Sequence, residues 1–186
     1  TSWRTTDDGG VLAGCRSVAP RRAGGVWASA GSDLLACDGR TVHRAPGPPL
    51  PPDLTAILED AAGRLWVGNA GGLAVRDPGG RWRALGRDDG FTARQVFFIG
   101  QDRDGVIWVG VDRGVLRFLP DGRMLPFSTE DGLAGLETNQ HGFFAGPDGE
   151  VWLGTVSGMT RYDPARQPPA VPPPPLVVEA AELPGR

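Results

Sequence analysis

Lysine is missing from this chain of 186 residues: all 19 basic residues are arginine. They are scattered among 22 acidic residues, for a formal net charge of −3, so no basic stripe follows a phosphate backbone and no nucleic-acid partner is expected. Histidine occurs twice, at His43 and His141. That is too few for a histidine-based metal cluster, and neither residue has a Ser or Cys partner in a recognisable nucleophile motif, so no catalytic residue, metal or cofactor is expected. Long apolar runs are also missing. Nothing approaches the roughly 18 residues of a membrane span, and TSWRTTDDGG at 1–10 does not read as a signal peptide. Any anchor or export signal is therefore expected outside this chain.

What the chain has in quantity is glycine and proline, 29 and 18 residues. Without periodicity such a share signals low complexity. A 40% hydrophobic content, six tryptophans and the small net charge argue instead for a packed domain.

The periodicity is present. AGGVWAS at 23–29, AGRLWVG at 62–68, DGVIWVG at 104–110 and DGEVWLG at 148–154 align on Trp27, Trp66, Trp108 and Trp152, which are 39, 42 and 44 residues apart. A period near 40, read as short strands punctuated by turns, predicts an all-β propeller of four-stranded antiparallel blades. In the third unit the reading places an inner strand at Gln95 to Gln101, a second at Val106 to Gly110, a third at Val115 to Leu119 and an outer strand around Met124 to Ser128. Glycine and proline fall at the turns. Trp3-Arg4 with Asp7-Asp8-Gly9 matches Trp82-Arg83 with Asp88-Asp89-Gly90, so the chain opens on the outer strand of a unit. The fourth unit supplies three strands, ending at Arg161-Tyr162-Asp163-Pro164.

The pattern of Leu54 to Asp60, Gly63, Leu65-Trp66-Val67-Gly68, Gly71-Gly72-Leu73 and Arg76-Asp77-Pro78 resembles the two-component regulator propeller repeat, found in extracytoplasmic sensor regions of bacterial histidine kinases. Asp102, Gly105, Ile107 to Gly110 and Gly114-Val115 carry it in the third unit, and Gly149, Val151 to Thr155 and Gly158 to Thr160 in the fourth. The first unit departs most, with Ala28-Ser29 at the Val-Gly step. Pro172 to Val178 is similar to the entry of the triple-tyrosine immunoglobulin-like domain that follows such propellers. The resemblance implies blades over 1–164, a proline-rich linker over 165–175 and the start of an Ig-like domain over 176–186. It implies a fragment of a larger, seven-bladed ring; a closed four-blade ring and closure between chains as a homodimer are the alternatives. The function it implies is a non-catalytic sensor outside the cytoplasm, part of a membrane-anchored protein. A small molecule or an oligosaccharide is the expected ligand, and an Ig-like neighbour with a downstream kinase the expected partners in the parent chain. A propeller lyase or hydrolase, and a passive assembly module, are the rival readings.

Several side chains are candidates for chemistry. Asp102-x-Asp104-Gly105 has too few oxygens for calcium and reads as a carboxylate accepting turn amides. The repeated tryptophans read as packing between blades. Cys15 and Cys37 fall on the first and third strands of one unit, about 9.5 Å apart, beyond the roughly 7 Å a disulfide spans. Two free, buried thiols are expected. In a propeller, the loops entering inner strands and the turns between second and third strands share one face at the channel mouth. Arg94, Gln95, Asp112, Arg113, Asn139, Gln140 and His141 fall there, and they form the expected ligand-binding set.

Overall fold

The computed structural model describes residues 14–31 and 33–166. Its strands form four sheets in which every hydrogen-bonded neighbour is antiparallel and consecutive in the chain. Blade 1 is β1 (Cys15–Pro20), β2 (Val26–Ala30), β3 (Asp33–Cys37) and β4 (Val42–Ala45). Blade 2 is β5 (Ala56–Glu59), β6 (Leu65–Asn69), β7 (Gly72–Arg76) and β8 (Trp82–Leu85). Blade 3 is β9 (Val96–Gln101), β10 (Ile107–Val111), β11 (Gly114–Phe118) and β12 (Met124–Phe127), and blade 4 is β13 (Thr138–Ala145), β14 (Val151–Thr155) and β15 (Gly158–Tyr162). The chain is thus an all-β propeller of four blades, and helix among the described residues is limited to three single 3-10 turns, such as Arg87–Asp89. The expected outer strand at Trp3-Arg4, the linker beyond Arg166 and the Ig-like segment lie outside the described residues.

Inner strands pack in the order β1, β5, β9, β13 around the axis, and among the described residues β13 makes no comparable contact with β1. Each sheet has two apolar faces because its strands are sandwiched. One face carries the repeated tryptophan and packs on the smooth aliphatic face of the next blade. Trp27 with Leu34 meets Ile57, Leu65 and Val67. Trp66 with Leu73 meets Val96, Ile107 and Val109, and Trp108 with Val115 meets Val151 and Leu153. Each buried indole takes about 200 Å² out of water, on the order of 5 kcal/mol as an upper figure. Close approach is built in at Gly100, where a Cβ would occupy the space of the Phe143 ring from blade 4.

Carboxylates fasten the indoles. Asp60 is fully buried; its Oδ1 accepts the Ala62 and Arg64 amides and its Oδ2 accepts Arg64 Nε and, at 2.8 Å, Trp66 Nε1. Asp102 repeats this, accepting the Asp104 and Val106 amides and Trp108 Nε1 at 2.7 Å. The turn role expected for Asp102 is present, with an indole added. The residue before each of these aspartates reaches back one blade: Glu59 Oε2 accepts the Arg22 amide and Trp27 Nε1, and Gln101 Oε1 accepts the Ala61 amide.

One expectation is corrected. Cys15 and Cys37 are free and lie on β1 and β3, but Cys15 is exposed and Cys37 only half-buried. Cys15 sits at the end of β1, where the strand register slips and its side chain leaves the core. Partial burial pushes the Cys37 thiol above its usual pKa.

Candidate functional site

The residues expected at the channel mouth come from two loops of blade 3 and one irregular strand of blade 4. Arg94 and Gln95 end the loop that enters β9, and Asp112-Arg113 form the two-residue turn between β10 and β11. These two loops touch, because the Arg94 amide donates to Asp112 Oδ1 at 3.3 Å. Arg94, Asp112 and Arg113 are exposed, and Gln95 is half-buried.

Asn139, Gln140 and His141 lie in β13, whose pairing with β14 jumps from Thr138 opposite Thr155 to Phe143 opposite Leu153. Five residue steps on β13 face two on β14, so three extra residues bulge out of the ladder. Neighbouring inner strands carry at most a single extra residue: one at β1 and at β9, none at β5. Asn139, Gln140 and His141 are all exposed, and His141 holds φ +58°, a left-handed backbone that costs a non-glycine residue energy. Gly142 closes the bulge where a Cβ would press on the carbonyl oxygens of Gly154 and Asn139.

The bulge is strapped to blade 3. Thr138 Oγ1 donates to the Val111 carbonyl at 3.1 Å, and the Gly114 amide donates to the Leu136 carbonyl at 2.7 Å. Both straps land on residues flanking Asp112-Arg113, so the blade 3 turn and the blade 4 bulge form one continuous polar ridge. Hydrogen bonds to backbone amides and carbonyls hold it, and of the seven side chains Asp112 takes part in them.

Below the ridge lies an axial cavity of about 320 Å³ bordered by all four inner strands, including Val18, Ile57, Phe98, Gln101 and Phe143. Of the seven expected residues only His141 borders it. The sequence does not single out these strand residues, since the apolar run at 95–101 reads as buried on both faces; consecutive residues such as Phe98 to Gln101 border the cavity because an innermost strand presents its edge to the axis. Larger hollows lie at the rim, about 590 Å³ between blades 2 and 3 and about 960 Å³ between blades 3 and 4. The first is lined by Arg64, Arg81 and Arg83, which are already paired with Asp60, Asp77 and Asp89. These rim gaps follow from the outward splay of outer strands, and the charges of the first are spent on one another.

The carboxylates of the repeat are likewise committed to amides and indoles. Among the described residues no group of three or more His, Cys, Asp or Glu side chains is placed to hold a metal ion. What remains available on the ridge is an exposed set of amides, guanidinium groups, one carboxylate and one imidazole, suited to hydrogen bonding a bound molecule.

No protein-family model and no curated protein matches the chain. Solved structures do resemble it. The extracellular domain of BT3049 of B. thetaiotaomicron, assigned to a hybrid two component system, aligns with 88% of this chain and 29% of its own at 13% identity and TM-score 0.57. That of BT4673 from the same organism aligns with 79% of this chain and 21% of its own at 18% identity and TM-score 0.61. Virginiamycin B lyase from Staphylococcus aureus aligns with 80% and 55% at 18% identity and TM-score 0.58. The chain spans between about a fifth and little more than half the length of these proteins. At these identities the likeness is one of fold, and the fold it supports is the propeller.

Proposed function

We propose that this propeller is a non-catalytic binding domain of a bacterial sensor outside the cytoplasm, which recognises a small molecule or oligosaccharide and passes the event to an Ig-like neighbour and a downstream histidine kinase in a longer parent chain. The observation that carries the reading is the strapped ridge of Arg94, Asp112, Arg113 and the Asn139–His141 bulge. It is exposed polar chemistry held by hydrogen bonds to backbone groups, with a left-handed histidine at its centre. Strain kept at an exposed position on a rigid scaffold is expected where binding is selected over stability. The repeat motif and the likeness to extracellular domains of two-component proteins support the signalling context. Transmission requires only that the ligand favour one blade arrangement over another.

A panel of soluble oligosaccharides, screened by thermal shift and then calorimetry, tests this. Arg94→Ala and His141→Ala each weaken binding about tenfold, the loss of roughly one charge-assisted or neutral hydrogen bond, with Tm within a few degrees of the parent. Unchanged affinity in both variants, or a large loss of stability with binding intact, overturns the assignment.

A lyase or hydrolase is the second reading. It is favoured by His141 bordering the axial cavity and by the likeness to virginiamycin B lyase. Mass spectrometry of each ligand after incubation separates the two: an unaltered mass supports the sensor, and a linearised or hydrolysed product supports the enzyme.

A further inference from the structure

The turns between second and third strands follow one backbone rule in blades 2 to 4 and differ at their tips. The residue after each tip is a glycine at positive φ, +122° at Gly72, +103° at Gly114 and +144° at Gly158. The conformational demand falls on that glycine, so the fold leaves the two tip residues free. They are Ala70-Gly71 in blade 2 and Val156-Ser157 in blade 4, but Asp112-Arg113 in blade 3. The loop that touches this tip brings a second cation, Arg94. Neither guanidinium is used by the fold. Elsewhere Arg64 is paired with Asp60, Arg81 with Asp77 and Arg123 with Asp121, and Arg16 lies 4.0 Å from Asp53. Among the described residues Arg94 and Arg113 form no ion pair, even with Asp112, whose Oδ1 accepts the Arg94 amide. Glu137, the exposed acid two residues before Asn139, pairs with neither. Two exposed cations beside one carboxylate leave this spot positive in a chain of net charge −3.

We propose that this pair reads a carboxylate, and that the ligand of the ridge is a sugar acid: its uronate group seats between Arg94 and Arg113 while its hydroxyls meet the amides of Asn139 and Gln140. The inference rests on the ridge being a binding site and adds the charge of what binds there. The Arg94 amide is one hydrogen bond away from Asp112, the neighbour of Arg113, a separation that two arginine side chains span together. A planar guanidinium presents paired N–H donors that match the two oxygens of a carboxylate. Asn139 and Gln140 stand exposed on the adjoining bulge, and a carboxamide both donates and accepts, as a sugar hydroxyl requires. Because neither guanidinium is engaged beforehand, seating the anion breaks no ion pair.

Nuclear magnetic resonance titration of the isotope-labelled 186-residue chain with galacturonate and, separately, with galactose tests the proposal. Galacturonate is expected to move the signals of Arg94, Arg113 and Asn139 to His141 with a dissociation constant on the order of millimolar, and galactose to bind about tenfold more weakly. Arg94→Ala and Arg113→Ala each weaken galacturonate about tenfold and bring it level with galactose. Arg40→Ala, at an exposed cation in the turn between β3 and β4, changes neither sugar, and circular dichroism checks that all three variants stay folded. Galactose bound as well as galacturonate through the same residues overturns the sugar-acid assignment and leaves the ridge a binding site. Inorganic sulfate that displaces galacturonate at equal concentration marks a general oxyanion site and overturns the carboxylate assignment, as does an equal loss in Arg40→Ala. Ridge signals unmoved by either sugar also overturn the proposal, and the oligosaccharide panel above then judges the binding reading by itself.

Discussion

Blades 2 and 4 are written in the same local pattern and end in different physical states. In blade 2, Trp66 is 4% exposed, its indole held by Asp60 six residues upstream and its ring covered by blade 3. In blade 4, Gly146 stands at the carboxylate position and Trp152 is half-buried. Blade 1 is intermediate: Arg21 stands where the aspartate is missing, and Glu59 of blade 2 takes over the indole at 2.7 Å. A repeat motif therefore specifies the strand grammar, while the burial of its signature residue depends on what the neighbouring unit supplies.

The widest gap in this comparison belongs to the rings themselves. Trp108→Ala removes a 1% exposed indole between two blades and is expected to cost about 4 kcal/mol in urea unfolding. Trp152→Ala removes the equivalent ring from a half-open face and is expected to cost about 1 kcal/mol. Equal costs would break the contrast between the two faces.

A smaller effect repairs blade 4. The Glu150 side chain lies against Gly146, and its Oε2 is buried without a hydrogen-bond partner. Residues 146 and 150 are the counterparts of Asp60 and Arg64, so Gly146→Asp combined with Glu150→Arg transplants the blade 2 pair. The double variant is expected to gain about 1 kcal/mol, chiefly by replacing an unsatisfied buried oxygen with a bonded carboxylate; chemical denaturation reads the change. No gain would show that the pair works only when the next blade covers it.

The smallest effect contrasts these buried carboxylates with exposed ones at the outer turns. Asp38 is lowered to about 2, mainly by the Thr41 and Arg40 amides. Asp77 and Asp121 are lowered by the amides of Arg81 and Arg123. A carboxylate whose folded pKa lies below its unfolded value stabilises the fold above that unfolded value, near 3.8, and loses this as pH falls through the folded one. Stability is therefore expected to decline modestly between pH 4 and 2. Asn at all three positions should flatten the part of that decline due to the outer turns, as followed by thermal melts.

Much of the fold is legible from residue type. The strand expected at Val115 to Leu119 is β11 at Gly114–Phe118, and Val106 to Gly110 becomes β10 at Ile107–Val111, because glycine and proline at the turns bound each run within a residue. The site was legible only in part. Asn139, Gln140 and His141 read as polar residues on a loop, yet what groups them is a three-residue surplus in the inner strand: Thr138 sits 14 residues before Trp152, where Thr55 sits 11 before Trp66. Exposure of Cys15 followed from a register slip, and the reach of Glu59 to Trp27 from the packing of two blades; neither is encoded by residues adjacent in the chain.

The back-reaching side chains Glu59 and Gln101 carry a consequence for how such arrays change over evolutionary time. Each of these units brings the latch for its predecessor, so a tandem gene duplication that inserts another copy arrives with its own fastening and leaves the upstream turn amide satisfied. Ala145 has replaced that latch in blade 4, so the third and fourth units adhere through strand-end straps and aromatic contacts instead.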